Sequence, residues 1–175
     1  LAYWLYIDGV YTIIKMAVDY GLSQGLSMDD LLQAVLISNY IGFPAALAFG
    51  AIGSRFGAKR GIILALSVYL VATMVAPFIT TEAEFYGLAV AIGLVQGGVQ
   101  SLSRSLFARL IPAGQTAEFF GFYNMLGKFA AILGPALTGV VALVTGSQRI
   151  GIFSIIVLFI AGLALLTRVR TMPVA

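Results

Sequence analysis

Cysteine and histidine are both absent from this 175-residue sequence, and charge is scarce, with ten Lys and Arg and seven Asp and Glu. The first two absences exclude thiol chemistry, disulfides and the usual zinc or haem ligation. No acids are paired at metal-ligand spacing either, so no metal, cofactor or enzymatic activity is expected. The shortage of charge excludes more. A soluble domain carries about 25% charged residues, whereas this chain has 10%, with 61% hydrophobic residues. It cannot cover itself with polar surface, so its expected solvent is the lipid bilayer, and no nucleic-acid partner is expected. An initial Met is also lacking, and no basic stretch precedes Leu1, which argues against a signal peptide. The sequence reads as a piece of a longer polypeptide.

What is present is a series of apolar runs. The expected fold is all-α, a polytopic bundle of six transmembrane helices over residues 2–22, 28–54, 59–79, 83–110, 115–145 and 148–169. The breaks carry ordinary stop and start residues. Gly21 and Gly25 precede Ser27, Asp29 and Asp30. Pro77 and Thr80-Thr81 lead to Glu82 and Glu84, Pro112-Ala113-Gly114 separates spans 4 and 5, and Gly146-Ser147 separates spans 5 and 6. Arg55, Lys59, Arg60, Arg104, Arg109, Arg168 and Arg170 fall on one side; Asp29, Asp30, Glu82 and Glu84 fall on the other, with Arg149 its only cation. The positive-inside rule makes the basic side cytoplasmic, with both termini inside.

Polar residues are unevenly shared. Spans 1, 2, 4 and 5 hold Asp8, Lys15, Asp19, Asn39, Gln96, Gln100, Asn124 and Lys128, while spans 3 and 6 hold almost none. Buried polar groups face protein or water, so the first four spans are expected to line an interior and the other two to face lipid. A motif supports the same period. Asn39, Gly42, Ala45 and Ala46 in span 2 match Asn124, Gly127, Ala130 and Ala131 in span 5, offset by 85 residues. The two spans run in opposite directions, so the expectation is a single domain of two inverted repeats, about 1–82 and 83–175.

Lys128 lies about ten residues into span 5, roughly 15 Å along the helix and near the midplane. A lysine there costs at least about 2.5 kcal/mol, so it is expected to form either an ion pair within the bundle or a contact with substrate or coupling ion. Asn124 lies one turn away on the same face. Asp8, Lys15 and Asp19 form one stripe on span 1. Asp19 is near the boundary, where water solvates it, and Lys15 can satisfy it locally; Asp8 and Lys128 are then expected partners across the bundle. Gln96 and Gln100, beside Gly97-Gly98, serve either helix packing or substrate contact.

The loop Gly50-Ala-Ile-Gly53-Ser54-Arg55-Phe56-Gly57-Ala58-Lys59-Arg60 resembles the signature loop of the major facilitator superfamily, matching at Gly50, Arg55, Gly57, Lys59 and Arg60. Ser54 stands in place of that loop's acid and Ala58 in place of a base, which resembles the degenerate second copy and implies a C-terminal half. The stretch from Gly97 through Ser103, Arg104, Arg109 and Pro112 to Glu118-Phe-Phe-Gly-Phe-Tyr-Asn124 and Gly127-Lys128, with Tyr6-Ile7-Asp8-Gly9, resembles the vacuole-effluxer branch of that superfamily. The branch includes fungal autophagy-related amino-acid exporters. The resemblance implies the second half of a twelve-helix secondary transporter for a small polar solute, acting by alternating access against an N-terminal half, in a bacterial inner membrane or a vacuolar membrane. Arg104 and Glu118 are expected to form a cytoplasmic latch, and a proton is a candidate coupling ion through Asp8. A non-transporting scaffold or receptor, and a half-size unit working as a homodimer, remain open.

Overall fold

The computed structural model describes residues 1–112 and 115–169, all in helices and the turns between them. Ala113 and Gly114 of the expected turn, and Arg170 of the expected basic tail, lie outside those residues. The helices are α1 (Ala2–Ser23), α2 (Met28–Phe56), α3 (Ala58–Val75), α4 (Glu82–Ala108), α5 (Thr116–Phe129), α6 (Leu133–Thr145), α7 (Gln148–Phe153) and α8 (Ile156–Arg168). A 3₁₀ turn at Ala76–Phe78 extends α3.

Their starts follow local chemistry. The Ser27 hydroxyl accepts the Asp30 amide at 3.2 Å. Thr81 and Glu84 form a capping box in which the glutamate accepts the Thr81 amide at 3.1 Å and the Thr80 amide at 2.9 Å. Between α2 and α3 the chain turns on Gly57 at φ 90°, a conformation that side chains rarely adopt.

Charge separates by end of the bundle. At one end the Lys59 ammonium donates to the carbonyls of Thr167 and Val169 at 2.9 and 2.7 Å, closing the exposed C-terminus of α8. At the other end Tyr86 donates to Asp30 at 3.2 Å, and Arg149 donates to Gln24 at 2.7 Å.

Among the described residues, five stretches are long and apolar enough to cross a membrane: Met28–Phe56, Ala58–Phe78, Glu82–Ala108, Thr116–Thr145 and Gln148–Arg168. The 22 residues of α1 are as long as a span but carry Asp8, Lys15 and Asp19. Protein rather than lipid surrounds much of this helix. Tyr6, Ile7, Asp8, Val10 and Thr12 are all buried, Gly162 of α8 lies against Tyr6, and Gly9 lies against Phe159. The Tyr6 hydroxyl meets Ser103 of α4 at 2.8 Å.

Burial within the chain is shared by both sets of spans: 44% of the apolar stretch of α3, 44% of that of α7–α8 and 39% of that of α4 is buried, against 11% for α2 and 17% for α5–α6. An apolar helix also packs well on its neighbours. α3 buries a stripe through Gly61, Ala65, Tyr69 and Thr73, and Tyr69 stacks on Phe159 at 5.6 Å. Lipid remains available to their opposite faces, where Leu64, Val71, Val157 and Ile160 are exposed.

Span 5 is not continuous. α5 stops at Phe129 and α6 begins at Leu133. Pro135 has no N–H, and its ring crowds the carbonyl four residues earlier, which interrupts the ladder around Ala131. Span 6 tightens rather than breaks. Around Ser154 and Ile155 the bonds become i to i+3, as in Val157 to Ser154 and Leu158 to Ile155. The two motif copies therefore differ in shape, since α2 runs unbroken through Asn39, Gly42 and Pro44.

α2 and α4 cross on small residues. A Cβ on Gly97 would lie 2.8 Å from that of Ala46 and 3.0 Å from the Gly42 carbonyl. On Gly93 it would lie 2.6 Å from the Ser38 carbonyl. Backbone cannot swing aside as a side chain can. Gly93→Val is expected to force the helices apart and destabilise the protein by about 3 kcal/mol. The thermal midpoint and monodispersity of the full-length protein in detergent check this; an unchanged midpoint would show that the crossing tolerates wider spacing.

Candidate functional site

The interruption at residues 130–132 leaves two helix ends inside what would have been one span. A helix N-terminus exposes amide donors and carries partial positive charge; a C-terminus exposes carbonyls and carries partial negative charge. Each end has the matching side chain. Asp8, fully buried, accepts the Leu133 amide at 3.0 Å and the Gly134 amide at 2.9 Å, one on each carboxylate oxygen. The Thr12 hydroxyl sits 3.4 Å from the second oxygen and donates to the Asp8 carbonyl at 2.7 Å. Pro135 follows in the first turn of α6, where its missing N–H costs nothing. Lys128 occupies the last turn of α5. The costly mid-span lysine therefore lies where a helix dipole favours a cation. The structure brings Asp8 to backbone amides, and Lys128 turns to an open cavity.

That cavity has a volume of about 340 Å³. α1 supplies Tyr3 and Tyr11, α4 supplies Gln100 and Arg104, and α5 supplies Tyr123, Asn124, Gly127 and Lys128. Helical spacing explains the grouping, because Gln100 with Arg104, and Asn124 with Lys128, are four residues apart on one face. The aromatic wall is stacked: Tyr3 and Tyr123 have ring centroids 4.2 Å apart, and Phe107 backs Tyr123 at 4.8 Å. Lys128 and Asn124 are exposed within this chain, so neither is needed to fill its core.

A second cavity of about 110 Å³ lies toward the acidic end, between α1, α2 and α4. Asn39 and Gln96 sit on it among mainly aliphatic residues such as Ile13, Val18, Leu31 and Ile92. The expected site residues thus divide. Lys128, Asn124, Gln100 and Arg104 come together, while Asn39 and Gln96 belong to the other cavity. The Asn39 amide donates to the Val35 carbonyl of its own helix at 2.9 Å. Lys15 and Asp19 are exposed on α1 and line neither cavity. Glu118 is exposed in the first turn of α5 and is not among the residues around Arg104 in the cavity wall.

In the basic loop, Gly50 lies within α2, Gly57 makes the turn, Lys59 caps α8, and Arg55 stands over the Phe56 ring at 5.6 Å. Arg60 is exposed. Ser54 donates to the Ala51 carbonyl at 2.8 Å. The glycines beside Gln96 and Gln100 serve packing: Gly97 meets α2, and Gly98 meets the Phe49 ring. Sequence reasoning missed Tyr3, Tyr11 and Tyr123, whose rings read as apolar. The available signal was spacing: Tyr123 lies four residues from Gly127, in the segment that carries Asn124 and Lys128.

Comparison with known proteins agrees with this architecture. A family model described as "Vacuole effluxer Atg22 like" matches residues 1–172. The uncharacterized MFS-type transporter YxiO of Bacillus subtilis is 40% identical over 166 residues, covering 95% of this chain and 39% of that protein. Autophagy-related protein 22 of Cryptococcus neoformans is 37% identical over 113 residues, covering 62% of this chain and 21% of that protein. Autophagy-related protein 22-2 of Aspergillus oryzae is 27% identical over 171 residues, covering 88% of this chain and 28% of that protein. The chain spans well under half the length of each.

Proposed function

The chain belongs to the Atg22-like vacuole effluxer family of MFS-type transporters, and from that premise we propose that it forms the second six-helix half of a secondary transporter for a small polar solute of the amino-acid kind. The observation that carries this reading is the open cavity lined by Lys128, Arg104, Asn124 and Gln100. Groups that can bind polar solute converge there from three helices, at a depth where lipid would not tolerate them. The missing N-terminal half closes the other side, and the two halves rock about the cavity to expose it alternately. The basic end faces the cytoplasm, with both termini there, in a bacterial inner membrane or a vacuolar membrane. Arg104 and Glu118, near the facing ends of α4 and α5, latch that side when it closes. Asp8 acts by holding α6 in place and is the candidate group for proton coupling.

The test is counterflow in liposomes with the full-length protein. Gly127 lines the cavity, and a Cβ added there would lie 3.4 Å from the Tyr3 hydroxyl. Gly127→Leu therefore places an isobutyl group in the proposed path and is expected to block exchange while the protein stays folded. Full-rate counterflow by that variant would remove the cavity from the path. An absence of counterflow for any small polar solute would favour a scaffold or receptor.

A further inference from the structure

We infer that the cavity of α1, α4 and α5 takes a solute of net negative charge: a small carboxylate with at least one more anionic than cationic group, such as an acidic amino acid or a dicarboxylate. This rests on reading the cavity as the solute path. Among the described residues, its lining holds two cations, Arg104 and Lys128, and no carboxylate. The remaining polar groups are Tyr3, Tyr11, Tyr123, Gln100 and Asn124, which offer hydroxyl and amide donors that suit carboxylate oxygens.

The acids that might balance those cations are engaged or distant. Asp8 is fully buried and gives one oxygen to each of two amides. Asp19 lies roughly 16 Å along α1 from Asp8, and Glu118, which pairs with Arg104 only when the cytoplasmic side closes, lies roughly 15 Å along α5 from Lys128. The carbonyl end of α5 offsets only about half a charge at Lys128. Lys128 at membrane depth, with Arg104 above it and no acid among the described residues of the cavity lining, favours an anion as occupant. A neutral zwitterion would satisfy them with its carboxylate, but its ammonium would find only amide and phenol oxygens. A second carboxylate in the solute gives each of the two cations a partner, and a dicarboxylate also lacks the ammonium.

Isosteric pairs test this on the full-length protein. L-glutamate and L-glutamine share a shape and differ by one charge, as do succinate and its monoamide succinamate. Binding is read by thermal shift and calorimetry in detergent or nanodiscs. At least one acid is expected to bind at a concentration at least tenfold below that of its amide, with the gap collapsing in Lys128→Gln and Arg104→Gln. Equal or tighter binding of the amides, no binding of either acid, or a gap that survives in both variants overturns the inference. Counterflow judges the transporter reading separately: neutral-solute exchange unaffected by the acids leaves that reading standing while this inference falls.

Discussion

Asp8→Ala is expected to release the first turn of α6, with a loss of about 3 kcal/mol in local stability and of transport with it. The substitution removes both acceptors of the Leu133 and Gly134 amides. Each buried donor left alone costs about 1–3 kcal/mol, and lipid provides no water to replace the carboxylate. Hydrogen exchange in nanodiscs reads the effect at the two amides themselves, with an expected acceleration of about 100-fold. Asp8→Asn should fall between, since its amide group keeps one acceptor and turns an N–H₂ toward the other donor. The thermal midpoint should follow the same order. Unchanged exchange at Leu133 and Gly134 in Asp8→Ala would show that the cap does not hold the helix.

Lys128→Ala should behave in the opposite way: transport is lost and folding is kept. The side chain is exposed within this chain and fills no core space. Alanine is a good helix former, and losing the favourable contact with the carbonyl end of α5 costs about 0.3–1 kcal/mol. A charge-assisted bond to solute contributes about 1.5–3 kcal/mol, so apparent solute affinity should fall roughly 10- to 100-fold. Lys128→Arg keeps the charge and should retain part of the activity. Transport kinetics beside a melting curve separate the two effects. Normal uptake by Lys128→Ala would remove the residue from the path, and a collapsed melting curve would make it structural.

The contrast shows what local sequence carries and what it does not. Helix starts were legible because Ser27 with Asp30, and Thr81 with Glu84, act over three residues. The charge split was legible because loops report which end they occupy. The break in span 5 was not. Pro44 and Pro135 both lie in apolar runs of the same character, yet α2 passes through the first without interruption. At the second, Asp8 arrives from α1 to take the freed amides. Local composition is similar, and a partner distant in sequence decides the outcome. The expected Asp8–Lys128 pairing failed for the same reason: two opposite charges at similar depth suggest each other until a helix end intervenes. Lys128, Asn124, Gln100 and Arg104 were recoverable as polar groups in apolar surroundings. The tyrosines beside them were not, because a phenol reads as core until its neighbours are known.

The cap also constrains biosynthesis. Asp8 and its first amide partner are separated by 125 residues. At about 5–20 residues per second, the ribosome needs roughly 6 to 25 s to reach Leu133 after making Asp8. During that interval α1 carries Asp8, Lys15 and Asp19, and the amide donors that the Asp8 carboxylate accepts have not been made. It should therefore wait beside the insertion machinery, in contact with water, and commit to the bilayer only when α6 emerges. Ribosome-bound chains truncated before residue 133 should accordingly leave α1 accessible to water-soluble thiol reagents at an engineered cysteine, and chains extended past α6 should protect it.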